Sequence, residues 1–355
     1  MDSKTTRTIN SKKSLKINRI LTSKQSKKKK FIFYSNNGKK ISDKKTLERI
    51  KKLRIPPNYE NVKISNNPNS KIQAIGTDNK GRKQYIYNRD FIELKKNIKY
   101  EQYIILGKYL KKIQQDIDLI INKIQFKSYN QWEQPSSNIA IVIYLLDKCL
   151  FRIGNFKYYE LYGSHGCITL QKQHINLNSN KKIVEIKFIG KKGVINQCTL
   201  TDTRLFNIFK TLKNKKIGDF LFDYTSNNLI FNINTIDIQK YLNNYNTQIM
   251  PKMFRTWHTN CCFIYMIKNK IDFLMTIQKT NKITQKFKKN FLKESMLEIS
   301  QKLHNTPTVL KNSYLDNILI DLFLNNTEKL LKLIYSNRQC SKEKLLILIG
   351  NKIRK

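Results

Sequence analysis

Two basic residues in the middle of the chain have types and positions suited to chemistry on a phosphate. Arg152 ends an apolar segment, where its planar guanidinium could donate two parallel hydrogen bonds to a phosphate or could simply favour a helix C-terminus. Lys191 lies in GKKG (190–193), a plausible hairpin turn. A hairpin could carry this ammonium into a DNA groove to protonate a leaving oxygen, although most turn lysines are only solvated.

A second pair of basic residues lies in the segment KMFRTWHTN. Lys252 and Arg255 are three positions apart, so on a helix they share a face. Two cations on one face repel unless an anion or solvent lies between them. His258 in the same segment is interpreted as a packed or surface residue rather than a catalyst.

The segment HNTPTVLKNSY places His304 ten positions before Tyr314. Pro307 breaks the chain between them, and a helix that restarts after it could present Tyr314. A tyrosine hydroxyl can act as a nucleophile in covalent catalysis. Because the chain has 18 tyrosines, Tyr314 taken alone is a weak candidate.

The charge indicates what these residues act on. The 355 residues include 68 Lys and Arg against 25 Asp and Glu, a formal net charge of +43. An AT-rich genome would inflate lysine, but it would not suppress the acidic residues. The excess therefore predicts a polyanionic partner, with DNA or RNA favoured over a membrane surface or a purely solvating role.

Other classes of protein are disfavoured. The six cysteines include no CxxC pair and, with four histidines, give no zinc-ligand spacing. We interpret the thiols as reduced and structural, as in an intracellular protein. No apolar run is long enough to cross a membrane, and the polar, basic N-terminus is unlike a secretory signal.

The elements that must position these residues divide the chain in three. Residues 1–30 are polar and basic and predict a disordered tail. Residues 31–95 contain short strand-like segments, ending near 89–100 in a linker. Residues 96–355 are mostly helical, with helices over 102–126 and 139–150, strands between 167 and 200, and helices again from 203. The predicted fold is α+β, a small β-rich domain followed by a larger helical domain with a β-hairpin insert.

The order of the candidate residues, together with their flanking segments, resembles the type IB DNA topoisomerases of poxviruses and giant viruses. The resemblance covers about residues 31 to 325. It is carried by IPPNYENVKIS, GTDNKGRKQYIYN, RIGNFKYYE, VEIKFIGK, FRTWHTN and HNTPTVLKNSY. It implies a β-rich DNA clamp and a catalytic domain that nicks and reseals duplex DNA.

The resemblance also implies a role for each residue of the site. Tyr314 would attack a phosphodiester and form a 3′-phosphotyrosyl bond. Arg152, Arg255 and His304 would donate to the non-bridging oxygens, and Lys191 would protonate the leaving 5′-oxygen. Because cations neutralise the phosphate and the covalent bond keeps its energy, neither a metal nor ATP is expected as a cofactor.

The same resemblance predicts the residues that contact DNA. In the clamp, Arg82 and Lys83 would contact phosphates. The bases in a DNA groove would be contacted by Gln84, Tyr85 and Tyr87. In the catalytic domain the expected DNA-binding residues are Lys157, Tyr158, Lys252 and Asn260. Two features depart from the poxvirus pattern. Asn155 replaces a lysine at a DNA contact, and the segment from His304 to Tyr314 is one residue longer.

Two alternatives stay open. A tyrosine recombinase shares this chemistry but usually carries His at the position of Lys252, a helical N-terminal domain and a tetrameric assembly. A non-catalytic DNA-packaging protein would explain the charge but not the order of the five residues. We expect a monomer that acts on double-stranded DNA, away from membranes, in the nucleus or, if the protein is viral, in a viral factory or virion.

Overall fold

The computed structural model describes residues 15–23, 30–124, 135–280 and 283–353. The chain divides into two compact units, residues 1–99 and 100–355. Each unit has its own buried apolar cluster. The fold class is α+β, with a five-stranded antiparallel sheet in the first unit and a mostly helical second unit that contains small sheets, which confirms the prediction from sequence.

Among its described residues, the N-terminal unit contains one antiparallel sheet, one complete helix and the beginning of a second helix that continues into the other unit. The strand order is β2-β1-β3-β4-β5, and helix α1 connects β2 to β3. The elements are β1 (Leu15–Ser23), β2 (Lys30–Ser35), α1 (Lys44–Lys52), β3 (Glu60–Ser65), β4 (Ile72–Thr77) and β5 (Lys83–Tyr87). Ile50 of α1 packs with Ile17, Val62, Ile64 and Ala74 of the sheet to form a small core.

Strand β1 corrects the prediction of a disordered tail to residue 30. It pairs with β2 on one side and β3 on the other, with Ile17 opposite both Ser35 and Ile64. Arg19 donates to the carbonyls of Pro56 and Tyr59. The basic composition of this segment indicated disorder. The strand depends on partners up to 40 positions away along the chain, which the local sequence does not reveal. The rest of the predicted tail, residues 1–14 and 24–29, lies outside the described residues.

The segment predicted as a linker at 89–100 is helical. Helix α2 spans Arg89–Lys123, and the boundary between the two units falls within it. The side chain of Asn88 accepts hydrogen bonds from the backbone amides of Asp90 and Phe91. Such an N-terminal cap starts a helix even where the sequence is strongly polar.

The second unit contains helices α3 to α13 and two small sheets. Strands β6 (Ile175–Asn178), β7 (Ile183–Ile189) and β8 (Ile195–Leu200) form one sheet, and β9 (Asp223–Ser226) and β10 (Leu229–Asn232) a hairpin. The helices are α3 (Pro135–Lys148), α4 (Phe156–Tyr162), α5 (Thr203–Asn214), α6 (Thr235–Asn243), α7 (Lys252–Asn269), α8 (Ile271–Thr280), α9 (Gln285–Lys302), α10 (Pro307–Ser313), α11 (Asn317–Asn325), α12 (Thr327–Ser336) and α13 (Lys342–Ile353). No helix within the described ranges is long and apolar enough to cross a bilayer.

The hairpin β9–β10 was not predicted, because the chain was expected to be helical after residue 203. Its two-residue turn, Asn227–Asn228, has φ values of 49° and 61°. Asparagine tolerates this left-handed conformation, which two-residue hairpin turns of the type I′ class require. The Asn-Asn pair was therefore the available signal.

The prediction that the cysteines are reduced is wrong for two of the six. Cys149, just after α3, forms a disulfide with Cys198 of β8, and their Cα atoms are 5.5 Å apart. The remaining four cysteines are free. The two cysteines are 49 residues apart, and spacing along the chain does not predict which distant elements pack together, so the disulfide was not predicted.

Candidate active site

Arg152 was predicted at the end of a helix, but it lies in a tight loop. Helix α3 ends at Lys148, and the amide of Cys167 donates to the carbonyl of Arg152 at 2.9 Å. Gly154 and Gly166 allow the two backbones to meet, because a Cβ atom on Gly166 would lie 2.5 Å from Cα of Gly154. This close contact fixes the backbone that carries the arginine.

Arg255 is in the first turn of α7 and only 2% exposed. Its guanidinium donates to the carbonyl of Leu150, just before Arg152, and to that of Leu303 at 2.6 Å. Burial lowers the pKa of Arg255, although an arginine stays charged. Lys252, one turn earlier, is exposed. The buried cation thus joins the loop after α3 to the loop after α9.

Tyr314 is at the C-terminal end of α10 and lies beside both arginines. The centre of its ring is 5.0 Å from Cζ of Arg255, and its side chain also hydrogen-bonds with Arg255 and Arg152. Burial raises the pKa of Tyr314, but the two guanidinium groups outweigh that effect, so the pKa lies below its usual value. The phenol is therefore easier to deprotonate than a free tyrosine.

His304 and Asn305 are adjacent, but their side chains point to different elements. Helix α9 ends in a Schellman motif, in which the amide of Asn305 donates to the carbonyl of Ser300 and His304 has a φ of 49°. The side-chain oxygen of Asn305 accepts a hydrogen bond from Arg152 at 2.5 Å. The Nε2 atom of His304 instead accepts one from the backbone amide of Gln197 at 3.4 Å.

Asn305 is a residue that sequence reasoning missed. Nδ2 of Asn305 and Nε of Arg255 are buried, and neither has a hydrogen-bond partner among the residues that the structure describes. Buried donors are normally paired. One of these two belongs to the arginine beside Tyr314 and the other to the side chain that Arg152 contacts, so together they are candidates to bind an anion. The signal was the extra residue between His304 and Tyr314, because counting back the poxvirus spacing from Tyr314 reaches Asn305.

Asn260 was predicted as a DNA-binding residue and an active-site neighbour, and it lies next to the backbone of Tyr314. The side chain is fully buried in α7. It donates to the carbonyl of Tyr314 at 3.0 Å and accepts from the amide of Asp316 at 2.8 Å. Through these two hydrogen bonds, Asn260 holds the backbone from Tyr314 to Asp316.

Lys191 lies in the turn between β7 and β8, where the predicted hairpin is present. The turn is closed by a hydrogen bond of 2.8 Å from the amide of Gly190 to the carbonyl of Val194. The side chain of Lys191 is exposed. At the base of the turn, the amide of His165 donates to the carbonyl of Ile189 at 3.0 Å, which anchors β7 to the segment that follows α4.

His258 is a packed residue, as predicted. Its Nε2 atom is 2.7 Å from Oδ1 of Asp147, whose side chain is fully buried. Burial alone would raise the pKa of Asp147, but the hydrogen bond and charge of His258 lower it to about 2. This contact joins α3 to α7, the helices that precede Arg152 and carry Arg255.

The predicted DNA contacts of the N-terminal unit lie on β5, an edge strand, except Arg82, which directly precedes it. Lys83, Tyr85 and Tyr87 share its exposed face, and the two tyrosine rings stack with centroids 6.3 Å apart. Arg82 pairs with Asp78 at 2.6 Å, and the side chain of Gln84 donates to the same carboxylate. The hydrogen bonds of Arg82 hold the pKa of Asp78 well below its usual value.

The predicted contacts of the second unit are on α4. Lys157 and Tyr158 are exposed, and the ring of Tyr158 stacks on Tyr162. Asn155 caps the helix by accepting a hydrogen bond from the amide of Lys157 at 2.9 Å. The residue that departs from the poxvirus pattern therefore fixes where α4 begins.

The chain is similar to known proteins over both units. Residues 88–334 match the family described as "Eukaryotic DNA topoisomerase I, catalytic core", and residues 30–78 match "Bacterial DNA topoisomerase IB, N-terminal domain". The "DNA topoisomerase 1B" of Acanthamoeba polyphaga mimivirus is 32% identical over 84% of this chain and 86% of that protein. The "DNA topoisomerase 1" of Rabbit fibroma virus is 23% identical over 87% of this chain and 90% of that protein.

Proposed function

The chain belongs to the type IB DNA topoisomerase family, and from this premise we propose that it cleaves and rejoins one strand of duplex DNA through Tyr314. The observation that carries the proposal is the contact of this tyrosine with Arg255 and Arg152. Two cations beside one phenol stabilise its anion, and the same cations can bind the phosphate that it attacks.

In the first step, the oxygen of Tyr314 bonds to phosphorus while the bond from phosphorus to the 5′-oxygen breaks. The tyrosine loses its proton to solvent, and the 3′ end stays attached as a phosphotyrosine. The free 5′ hydroxyl then reverses the reaction and releases the enzyme. One phosphodiester is replaced by another in each step, so the cycle requires no ATP and leaves the DNA changed only in topology.

The phosphate binds where the site has buried donors. Arg152 and Arg255 supply positive charge, and Nδ2 of Asn305 and Nε of Arg255 supply N–H groups that lack partners among the described residues. Donors fixed before the reaction stabilise the charge that develops on the non-bridging oxygens. His304 is a candidate for a further donor through Nδ1, because its Nε2 accepts the amide of Gln197.

Lys191 is the general acid of this proposal. The 5′-oxygen is a poor leaving group unless it is protonated, and a hairpin turn can place an ammonium beside DNA. The turn is anchored at Ile189 by His165 and closed at Gly190, so its base has a defined position. We propose no metal, because the arginines neutralise the phosphate.

Relaxation of a supercoiled plasmid, in EDTA and without ATP, tests the function. Tyr314→Phe should abolish both relaxation and the covalent adduct seen on a denaturing gel, while DNA binding stays unchanged, since only the attacking oxygen is lost. Tyr335→Phe, at an exposed tyrosine near the C-terminus, is the matched control. An adduct that persists in Tyr314→Phe would show that another residue is the nucleophile.

The same assay addresses the alternative function and the oligomeric state. We propose a monomer, so the rate of relaxation should be first order in protein at low concentration. A tyrosine recombinase would exchange strands between two duplexes and would require assembly. The match of residues 30–78 to a bacterial topoisomerase IB N-terminal domain supports the topoisomerase.

A further inference from the structure

The segment directly after Tyr314 is held more firmly than a surface loop. Leu315 and Asp316 are buried, at 0% and 2% exposure. Asp316 caps α11, because its Oδ1 accepts a hydrogen bond from the amide of Ile318 at 2.9 Å. Its own amide donates to Asn260 at 2.8 Å.

The second oxygen of Asp316 is bound by a residue far away in sequence. The hydroxyl of Tyr103, on α2, donates to Oδ2 of Asp316 at 3.0 Å across 213 positions of the chain. Both groups are buried, and a hydrogen bond to a carboxylate in such surroundings is stronger than one between neutral groups. Asp316 is thus fixed from α2, α7 and α11.

Tyr103 is itself held in one place. Its side chain is 1% exposed, and its ring packs against Trp257 of α7 with centroids 6.2 Å apart. Gly107, one turn further along α2, leaves room for the same indole, because a Cβ atom there would lie 2.2 Å from it. Trp257 is two residues after Arg255, so one packed region supports both the arginine and the aspartate.

We propose that Tyr103 is a positioning residue for the nucleophile, acting through Asp316 on the backbone of Tyr314. The proposal rests on the assignment of Tyr314 as the nucleophile. Loss of the hydroxyl leaves one oxygen of a buried carboxylate without this partner. Asp316 then shifts toward another donor or toward solvent, and Tyr314, two residues earlier, moves with it. Displacements of about 1 Å can slow a reaction about 10²-fold.

A positioning role predicts a particular kinetic signature. Attack by Tyr314 and its expulsion during religation pass through the same transition state. A misplaced tyrosine should therefore slow cleavage and religation by the same factor and leave the fraction of DNA held covalently at equilibrium unchanged. A residue that only stabilises the fold would lower the unfolding temperature without changing either rate in the folded protein.

The test is Tyr103→Phe in the full chain, with Tyr109→Phe as the matched control on an exposed part of α2. Single-turnover cleavage and religation are measured on a short duplex, well below the unfolding temperature. We expect both rates of Tyr103→Phe to fall about tenfold or more, with unchanged DNA affinity and no rescue by a 5′-bridging sulfur. Wild-type rates, or a loss confined to thermal stability, would overturn the proposal.

A double-mutant cycle with Asp316→Asn tests whether the two residues act through their contact. If they do, Tyr103→Phe should slow the Asp316→Asn variant far less than it slows the wild type, whereas multiplicative effects would contradict the coupling. Tyr314→Phe separates this inference from the proposed function. An adduct in Tyr314→Phe would show that Tyr314 is not the nucleophile. Normal rates in Tyr103→Phe would rule out only the positioning role of Tyr103.

Discussion

The amide oxygen of Asn305 accepts a hydrogen bond from Arg152, while its amide nitrogen is buried without a partner among the described residues. The arginine thus orients the amide and leaves its N–H groups for an incoming anion. Its neighbour His304, by contrast, is bound through Nε2 to β8. Two adjacent residues therefore have separable roles, and their variants should behave differently.

Asn305→Ala should slow cleavage by about 10²–10³-fold, the usual cost of one donor to a developing oxyanion. His304→Ala should cost less, because Nε2 of His304 is occupied by the amide of Gln197 and only Nδ1 can donate to the phosphate. Single-turnover cleavage of a suicide substrate measures both. Replacing one non-bridging oxygen of the scissile phosphate by a methyl group removes the atom that a donor contacts. A variant that already lacks this donor should lose no further activity on the modified DNA, which identifies the residue that makes the contact. A larger loss in His304→Ala would make His304 the main donor to the phosphate, as expected from the sequence.

The pH dependence of cleavage should move when an arginine is removed. Arg255 and Arg152 lower the pKa of Tyr314 against the effect of burial, so removing one of them raises that pKa. The anion that attacks then forms only at higher pH, and the rising limb of the pH–rate profile of Arg152→Ala should shift upward. The profile should be measured with a 5′-bridging sulfur substrate. Its leaving group needs no proton, so the ionisation of the general acid does not affect the rate. An unshifted limb would mean that Arg152 does not act on the phenol.

Lys191→Ala should slow cleavage of ordinary DNA and should be rescued by a 5′-bridging sulfur. A thiolate leaves readily without a proton, so the general acid becomes dispensable. Lys192→Ala, the next residue in the turn, is the matched control. Equal loss on the oxygen and sulfur substrates would make Lys191 a phosphate contact instead of an acid.

The disulfide between Cys149 and Cys198 should contribute to stability. Closing a loop over 49 positions restricts the unfolded chain and corresponds to about 4 kcal/mol in the free energy of unfolding. Denaturant unfolding with and without a reductant measures it, and Cys149→Ser should match the reduced protein. Cys340→Ser removes a free cysteine and should have little effect. Identical curves in both conditions would mean that the bond does not persist in solution.

Binding of a short duplex should weaken steeply with salt, because the net charge of +43 predicts many phosphate contacts. Lys83→Ala on β5 should reduce the log–log slope by about one. Lys329→Ala, exposed on α12, removes the same charge and serves as the control. Equal slopes in the two variants would mean that Lys83 acts only through the overall charge.

The sequence was informative where chemistry depends on residue type and order. Arg152, Arg255 and Tyr314 were predicted from the order of their motifs and from the family resemblance, and in the structure the two arginines act on the tyrosine side chain. The sequence was uninformative where the role of a residue depends on the direction in which its side chain points. Nothing in HNTPTVLKNSY reveals that the Schellman motif turns His304 toward β8 and Asn305 toward Arg152. Likewise, the match at Asn260 did not reveal that its side chain is fully buried.

Strand β1 has a consequence for how the N-terminus can be handled. It lies between β2 and β3, so proteolysis or truncation that removed residues 1–23 would split the sheet and expose two unpaired edges. Exposed strand edges pair readily with other chains and lead to aggregation. Removal of residues 1–14 leaves the strand in place. Recombinant production should therefore tolerate the shorter deletion and yield insoluble protein with the longer one.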